Sequence, residues 1–98
     1  MKNRELTVVA RIRAKSGREN DVYRELSALV PLTRGEDGCI CYLLHRSQED
    51  PALFCFYERW RSRSDLDVHL ATPYLQAFLA KADDLLAEPV GIETYELL

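Results

Sequence analysis

Residues 53–61, Leu53-Phe54-Cys55-Phe56-Tyr57-Glu58-Arg59-Trp60-Arg61, decide the fold. Read as a strand, the segment places Phe54, Phe56, Glu58 and Trp60 on one face and Leu53, Cys55 and Tyr57 on the other. An antiparallel sheet with helices on one side buries that side only, and its other side should be polar if nothing covers it. This strand is apolar on both sides. Its reading therefore predicts a sheet that is covered twice, once by helices of the same chain and once by something else.

The neighbouring segments supply the rest of that sheet. Upstream, Ser47-Gln48-Glu49-Asp50-Pro51 is a polar turn of hairpin length. Before it runs a second strand, Cys39 to Arg46, with Cys39, Cys41, Leu43 and His45 opposite Ile40, Tyr42, Leu44 and Arg46. Further upstream, Leu6 to Ala14 alternates, with Leu6, Val8, Ala10 and Ile12 on one face and Thr7, Val9, Arg11 and Arg13 on the other. Between these strands, Ser16 with Glu19 three residues later has the form of a capping box and predicts a helix from near Gly17. Val22, Leu26, Leu29 and Val30 form its apolar stripe, Pro31 weakens its last turn, and Gly35 to Gly38 closes it.

Downstream of the deciding strand, Ser64 with Asp67 predicts the cap of a short helix. Thr72-Pro73 restarts the helix, and Tyr74, Leu75, Phe78, Leu79, Ala82, Leu85 and Leu86 follow an amphipathic rhythm. Pro89 ends it, and Val90 to Leu98 reads as a last strand. The order is β-α-β-β-α-β, an α+β ferredoxin-like fold with a four-stranded antiparallel sheet. The second sheet face carries apolar groups on other strands as well, through Val9, Ile40 and Leu44, and the chain has no long loop to lay over them. The pattern predicts a homodimer with two sheets face to face about a two-fold axis.

Composition narrows the function. The 98 residues, 47% apolar and 30% charged, describe one folded domain spanning 1–98. A net charge of -3 is a poor match for a phosphate backbone, so nucleic acid is not expected as a partner. Apolar runs are too short for a membrane span, and Met1 to Arg13 shows no leader pattern, so a cytoplasmic protein is expected. Three cysteines without a C-x-x-C pair suggest reduced thiols, not a disulfide framework or zinc site. No phosphate-binding glycine loop, H-E-x-x-H or G-x-S-x-G occurs, and neither His45 nor His69 has a metal-ligand partner at helical spacing. No metal and no nucleotide cofactor is expected.

A few polar groups set among apolar ones remain as candidates. Glu58 lies between Phe56 and Trp60 on one strand face. It is either ion-paired to Arg11, Arg46 or Arg59, within the chain or across a dimer, or a pocket acid or base with its affinity for a proton raised by desolvation. His69, at the edge of the short helix's apolar stripe, is the natural proton carrier near neutral pH, or else a boundary histidine bonded to backbone. His45, near a strand end, is expected to be exposed. Tyr42, Trp60, Tyr74 and Phe78 either line a cavity between sheet and helices or simply fill the core. Arg59, Arg61 and Arg63 read as a solvated edge.

An ordered set of motifs carries a family resemblance. Glu36-Asp37-Gly38-Cys39-Ile40-Cys41-Tyr42, Pro51, Phe56-Tyr57-Glu58-Arg59-Trp60, Leu66-x-x-His69 and Thr72-Pro73-Tyr74 together resemble the antibiotic biosynthesis monooxygenase (ABM) domain family. The resemblance implies a dimeric α/β barrel of ferredoxin-like subunits with a pocket in each. It also implies one of several activities: oxidation of a quinol or polyphenol by molecular oxygen without flavin, haem or metal, isomerisation of a small phosphorylated signalling sugar, or haem degradation. The haem-degrading branch relies on an Asn in the first strand and a His in the third helix; here the first strand has no Asn, and the corresponding helical stretch is Ala77-Phe78-Leu79-Ala80. Carried over residue by residue, the retained motif positions are Glu58, Trp60 and His69. His69 and Glu58 are then the expected catalytic pair, and Tyr42, Trp60, Tyr74 and Phe78 the expected contacts of an aromatic substrate. A phosphorylated substrate would instead need a cationic pocket mouth, for which Arg46, Arg59 and Arg61 are available. A non-catalytic small-molecule binder would have a pocket collapsed by Phe56, Trp60 and Phe78 and His69 turned to solvent.

Overall fold

The computed structural model of the chain describes residues 5–98; Met1 to Arg4, the start of the expected domain and of the segment read for a leader, lie outside the described residues. Eight elements follow one another: β1 (Leu6–Arg13), α1 (Glu19–Arg34), β2 (Cys39–Arg46), β3 (Leu53–Trp60), α2 (Arg63–Leu70), α3 (Pro73–Leu79), α4 (Ala82–Leu85) and β4 (Gly91–Glu96). The strands form one sheet in the order β2-β3-β1-β4, antiparallel at every pairing. This is the ferredoxin-like α+β arrangement. No helix among the described residues is long and apolar enough to cross a membrane.

The register puts cross-strand rows on the helix-covered face. One row joins Val8, Glu58, Tyr42 and Thr94; the next joins Ala10, Phe56, Leu44 and Ile92; a third joins Ile12, Phe54 and Arg46. Val8, Ala10, Ile12, Phe54, Phe56 and Trp60 are buried there together with Val22, Leu26 and Leu29 of α1, Leu66 of α2 and Phe78 of α3. The deciding strand thus has its aromatic face in the core, as its alternation requires.

Three local readings are corrected. Ser16 does not cap α1: the chain first turns at Lys15–Arg18, with Gly17 at a φ of +86° and Arg18 N–H bonded to the Lys15 carbonyl, so Glu19 is the first helical residue and not the third. The cap of α2 is Ser62, not Ser64. Ser62 Oγ accepts from Asp65 N–H and donates to the Asp65 carboxylate, which also holds Arg61 through two bonds of 2.9 Å, so the earlier serine has the better partner. The helix expected to run on from Tyr74 to Leu86 breaks after Leu79. Leu86 is extended, bridges to Ala14, and leads Ala87 N–H onto the Arg13 carbonyl, which draws the chain back to the edge of β1.

The second strand departs from simple alternation. Its pairing with β3 shifts between Cys39 and Cys41, leaving Ile40 as the extra residue of a β-bulge. Cys39 therefore pairs with Trp60 and packs on the core, while Ile40 stands exposed. Leu44, read as a second-face residue, belongs to the core row, and its place on the outer face is taken by Leu43, which pairs with Tyr57, itself paired with Val9. Leu43, Tyr57 and Tyr95 are large apolar groups left open on that face.

Candidate functional site

Between the sheet and the helices lies a narrow cavity of about 50 Å³. Its wall is apolar, from Val8, Ala10 and Ile12 of β1 round to Leu75 and Phe78 of α3, except for Tyr42, Glu58 and His69. The register explains the grouping of these three. Tyr42 and Glu58 are direct partners on adjacent strands, and α2, whose start is fixed by the Ser62 cap, brings His69 over them. The rings of His69 and Tyr42 meet edge to face at 5.6 Å between centroids.

Glu58 is buried, and its Oε1 accepts a 2.8 Å hydrogen bond from Trp60 Nε1. Removal from water pushes its carboxyl up to about 7; the indole donor opposes that rise, and the charge of Glu36 adds to it. Within the chain, Glu58 has no arginine partner among the described residues. Among the described residues Arg59 pairs with Glu5 from the other sheet face, Arg46 lies over the rings of Tyr23 and Phe54, and Arg11 is exposed opposite Cys55.

His69 is buried at 2% exposure, which removes the solvent-facing arrangement expected of a mere binder. Its Nδ1 lies 2.8 Å from Glu36 Oε2, so its partner is a carboxylate and not the backbone. Its ring sits 4.6 Å from that of Trp60, tilted by 33°. Tyr42 is stacked on Phe56 at 4.3 Å, and burial drives its phenol far above the ordinary range, so it serves as a neutral hydroxyl.

The four aromatic residues expected around a substrate divide into two pairs. Tyr42 and Phe78 line the cavity. Trp60 lies behind it, fully buried, with its N–H on Glu58 and its ring against His69. Tyr74 also lies outside the lining, where its hydroxyl donates to Glu36 Oε2. His45 is exposed at the strand end, as expected. Of the arginines read as a solvated edge, Arg61 and Arg63 are exposed and paired to Asp65 and Asp67. Glu36, which contacts both His69 and Tyr74, is a candidate site residue that the reading of the sequence did not single out. Its only signal there is its place three residues before Cys39, at the head of the E-x-G-C segment. Among the described residues no group of three or more His, Cys, Asp and Glu side chains could hold a metal ion.

Comparison with known proteins agrees with this architecture. The chain is 34% identical over 87 residues to the protein named "Putative monooxygenase Rv0793" of Mycobacterium tuberculosis, covering 89% of this chain and 85% of that one. The solved structure of Rv0793 superposes with a TM-score of 0.90, covering 96% of this chain and 95% of the other at 31% identity. An uncharacterised Synechocystis protein, sll1783, is 33% identical over 92 residues; the match takes in 94% of this chain and spans 63% of that relative's length. The Escherichia coli protein named "Probable quinol monooxygenase YgiN" is 29% identical over 83 residues, 74% of this chain and 80% of its own. Residues 6–81 match the sequence pattern described as antibiotic biosynthesis monooxygenase. The chain belongs to the antibiotic biosynthesis monooxygenase (ABM) family.

Proposed function

We propose that the protein is a monooxygenase that inserts one atom of molecular oxygen into a small quinol or phenol without a cofactor. The observation that carries this reading is the cavity's lining, in which Tyr42, Glu58 and His69 are the polar side chains and all others are apolar. An electron-rich phenol supplies the electrons itself once it has lost its proton, so the protein must supply a base, an acid and a dry pocket. His69 takes the phenolic proton. The phenolate passes one electron to oxygen, and the radical pair joins as a C–O bond at a ring carbon that bears hydrogen. Glu58, whose acidity lies near neutral, protonates the peroxide; it then takes back a proton, the ring hydrogen on the same carbon, as the O–O bond breaks and C=O forms, and the hydroxide leaves as water with the proton that His69 had taken. The sum is quinol plus O2 to hydroxyquinone plus water, one oxygen atom going to each product. Tyr42 donates to the substrate oxygen, and Phe78 forms the wall beside it.

The names borne by the mycobacterial and E. coli relatives support the same reaction class. The alternative, isomerisation of a phosphorylated metabolite, asks for cations at the pocket. The lining contains no Lys or Arg, and Arg46, Arg59 and Arg61 are engaged elsewhere. The test is oxygen uptake with a panel of quinols and catechols, using 18O2 and mass analysis of the quinone. One labelled atom per product molecule is expected, with His69→Ala lowering kcat by about a hundredfold or more. Unlabelled quinone with stoichiometric peroxide, or unchanged turnover by His69→Ala, would overturn the proposal.

A further inference from the structure

We infer that Glu36 is the positioning residue of this site: it fixes the tautomer and the orientation of His69, so that Nε2 carries the lone pair facing the cavity. The inference rests on the base role given to His69 above, but its structural half stands on contacts alone. An ionised carboxylate only accepts hydrogen bonds. Glu36 Oε2, 2.8 Å from Nδ1, therefore requires the proton of a neutral His69 to sit on Nδ1. Nε2 is then left unprotonated on a ring that lines the cavity.

Glu36 is itself held from several sides. It follows α1 directly after Gly35; its N–H bonds to the Thr33 carbonyl at 3.0 Å, and its carbonyl accepts from Cys39 N–H at 3.1 Å. The Tyr74 hydroxyl, from the start of α3, donates to the same Oε2 that faces His69. Burial first, and the nearby carboxylate after it, push the Tyr74 hydroxyl up to about 12, so it remains a donor throughout the physiological range. The ring of His69 is closed in by Trp60 and Tyr42. The titratable and charged groups around the pair are Cys39, Tyr42, Glu58 and Tyr74, with Arg34 at the Tyr42 carbonyl. Among the described residues none of these hydrogen-bonds to His69 Nδ1, whose partner is Glu36. A carboxylate that did no more than tie the α1–β2 loop to α2 and α3 would be replaceable by its amide, because an amide oxygen still accepts from Tyr74.

That difference sets the test. Long-range 1H–15N spectra of histidine-labelled protein report the tautomer of His69 without any substrate. The wild-type chain should show Nδ1 protonated and Nε2 bare. Glu36→Gln, which can either accept from Nδ1 or donate to it, should give a mixture of tautomers and a kcat about 10- to 100-fold lower, with KM within about twofold. Tyr74→Phe should lower kcat by less. A wild-type proton found on Nε2, or a Glu36→Gln protein with its tautomer and kcat unchanged, overturns the inference. If Glu36→Gln does not fold, the wild-type spectrum alone decides. Bare Nε2 in a protein that oxidises no quinol leaves Glu36 in its positioning role and refutes the monooxygenase reading; labelled product from a protein whose Nε2 is protonated does the reverse.

Discussion

At the scale of single residues, Glu58 links stability to function. Its carboxyl titrates near 7 in the folded chain and near the ordinary 4.5 when the chain is unfolded. Below 4.5 both states hold the proton. Between 4.5 and 7 the unfolded state has released it and the folded state has not, so stability falls as pH rises, and it levels off above 7. The full span is of the order of 3 kcal/mol. Glu58→Gln should abolish this slope and be more stable than the wild type at pH 8, while losing turnover because the proton donor is gone. Urea midpoints measured from pH 4.5 to 8 check it, and parallel slopes for the two proteins would refute it. Glu58 and His69 were legible in the sequence because each interrupts an apolar face. What they would touch was not. The Glu58–Trp60 bond spans two residues of one strand, but the His69–Glu36 contact spans 33 residues and depends on where α2 comes to rest against the turn that follows α1.

Elements were legible where local chemistry is decided locally. The alternation of β1 and β3, the stripe of α1 and the Thr72-Pro73 start of α3 follow from period and capping alone, and all are present. The bulge in β2 depends on a distant partner, and the Ser62–Asp65 cap of α2, though local, is packed against one. Gly38 shows how close that partner comes: a Cβ added there would lie 2.2 Å from Cγ of Asp65, the residue that closes the α2 cap, while the Gly38 carbonyl accepts from Arg61 N–H at 2.8 Å. Gly38→Ala should therefore displace Asp65, weaken the cap that seats His69, and cost about 1–3 kcal/mol. Gly35→Ala is the control. Its Cβ would first meet the Leu32 carbonyl oxygen at 3.4 Å and its φ is an ordinary -79°, so the change should stay within about 0.5 kcal/mol. Chemical denaturation of the two variants compares them directly, and equal midpoints would refute the close-approach argument.

For the whole molecule, the remaining question is what covers the outer face of the sheet. Val9, Tyr57 and Leu43 form a continuous cross-strand row there, flanked by Leu53, Cys55 and Tyr95, and Leu43, Tyr57 and Tyr95 are each more than a third exposed. Leaving such a row in water forgoes about 25 cal/mol for each Å² of apolar area. A second copy with its sheet turned face to face would recover it, and an isologous contact closes after two chains. Sedimentation should give twice the 11.3 kDa chain mass at micromolar concentration. Replacing Leu43 and Tyr57 together by Lys puts like charges at the centre of that contact and should yield single chains with unchanged helical content by circular dichroism. A wild-type protein that sediments as one chain would refute the pairing. The cavity lies on the opposite side of the sheet, so turnover per chain should survive in the double variant. If it is lost while the fold is kept, the second copy does more than cover the sheet: it also holds the strands at the curvature that aligns Tyr42 and Glu58 under His69.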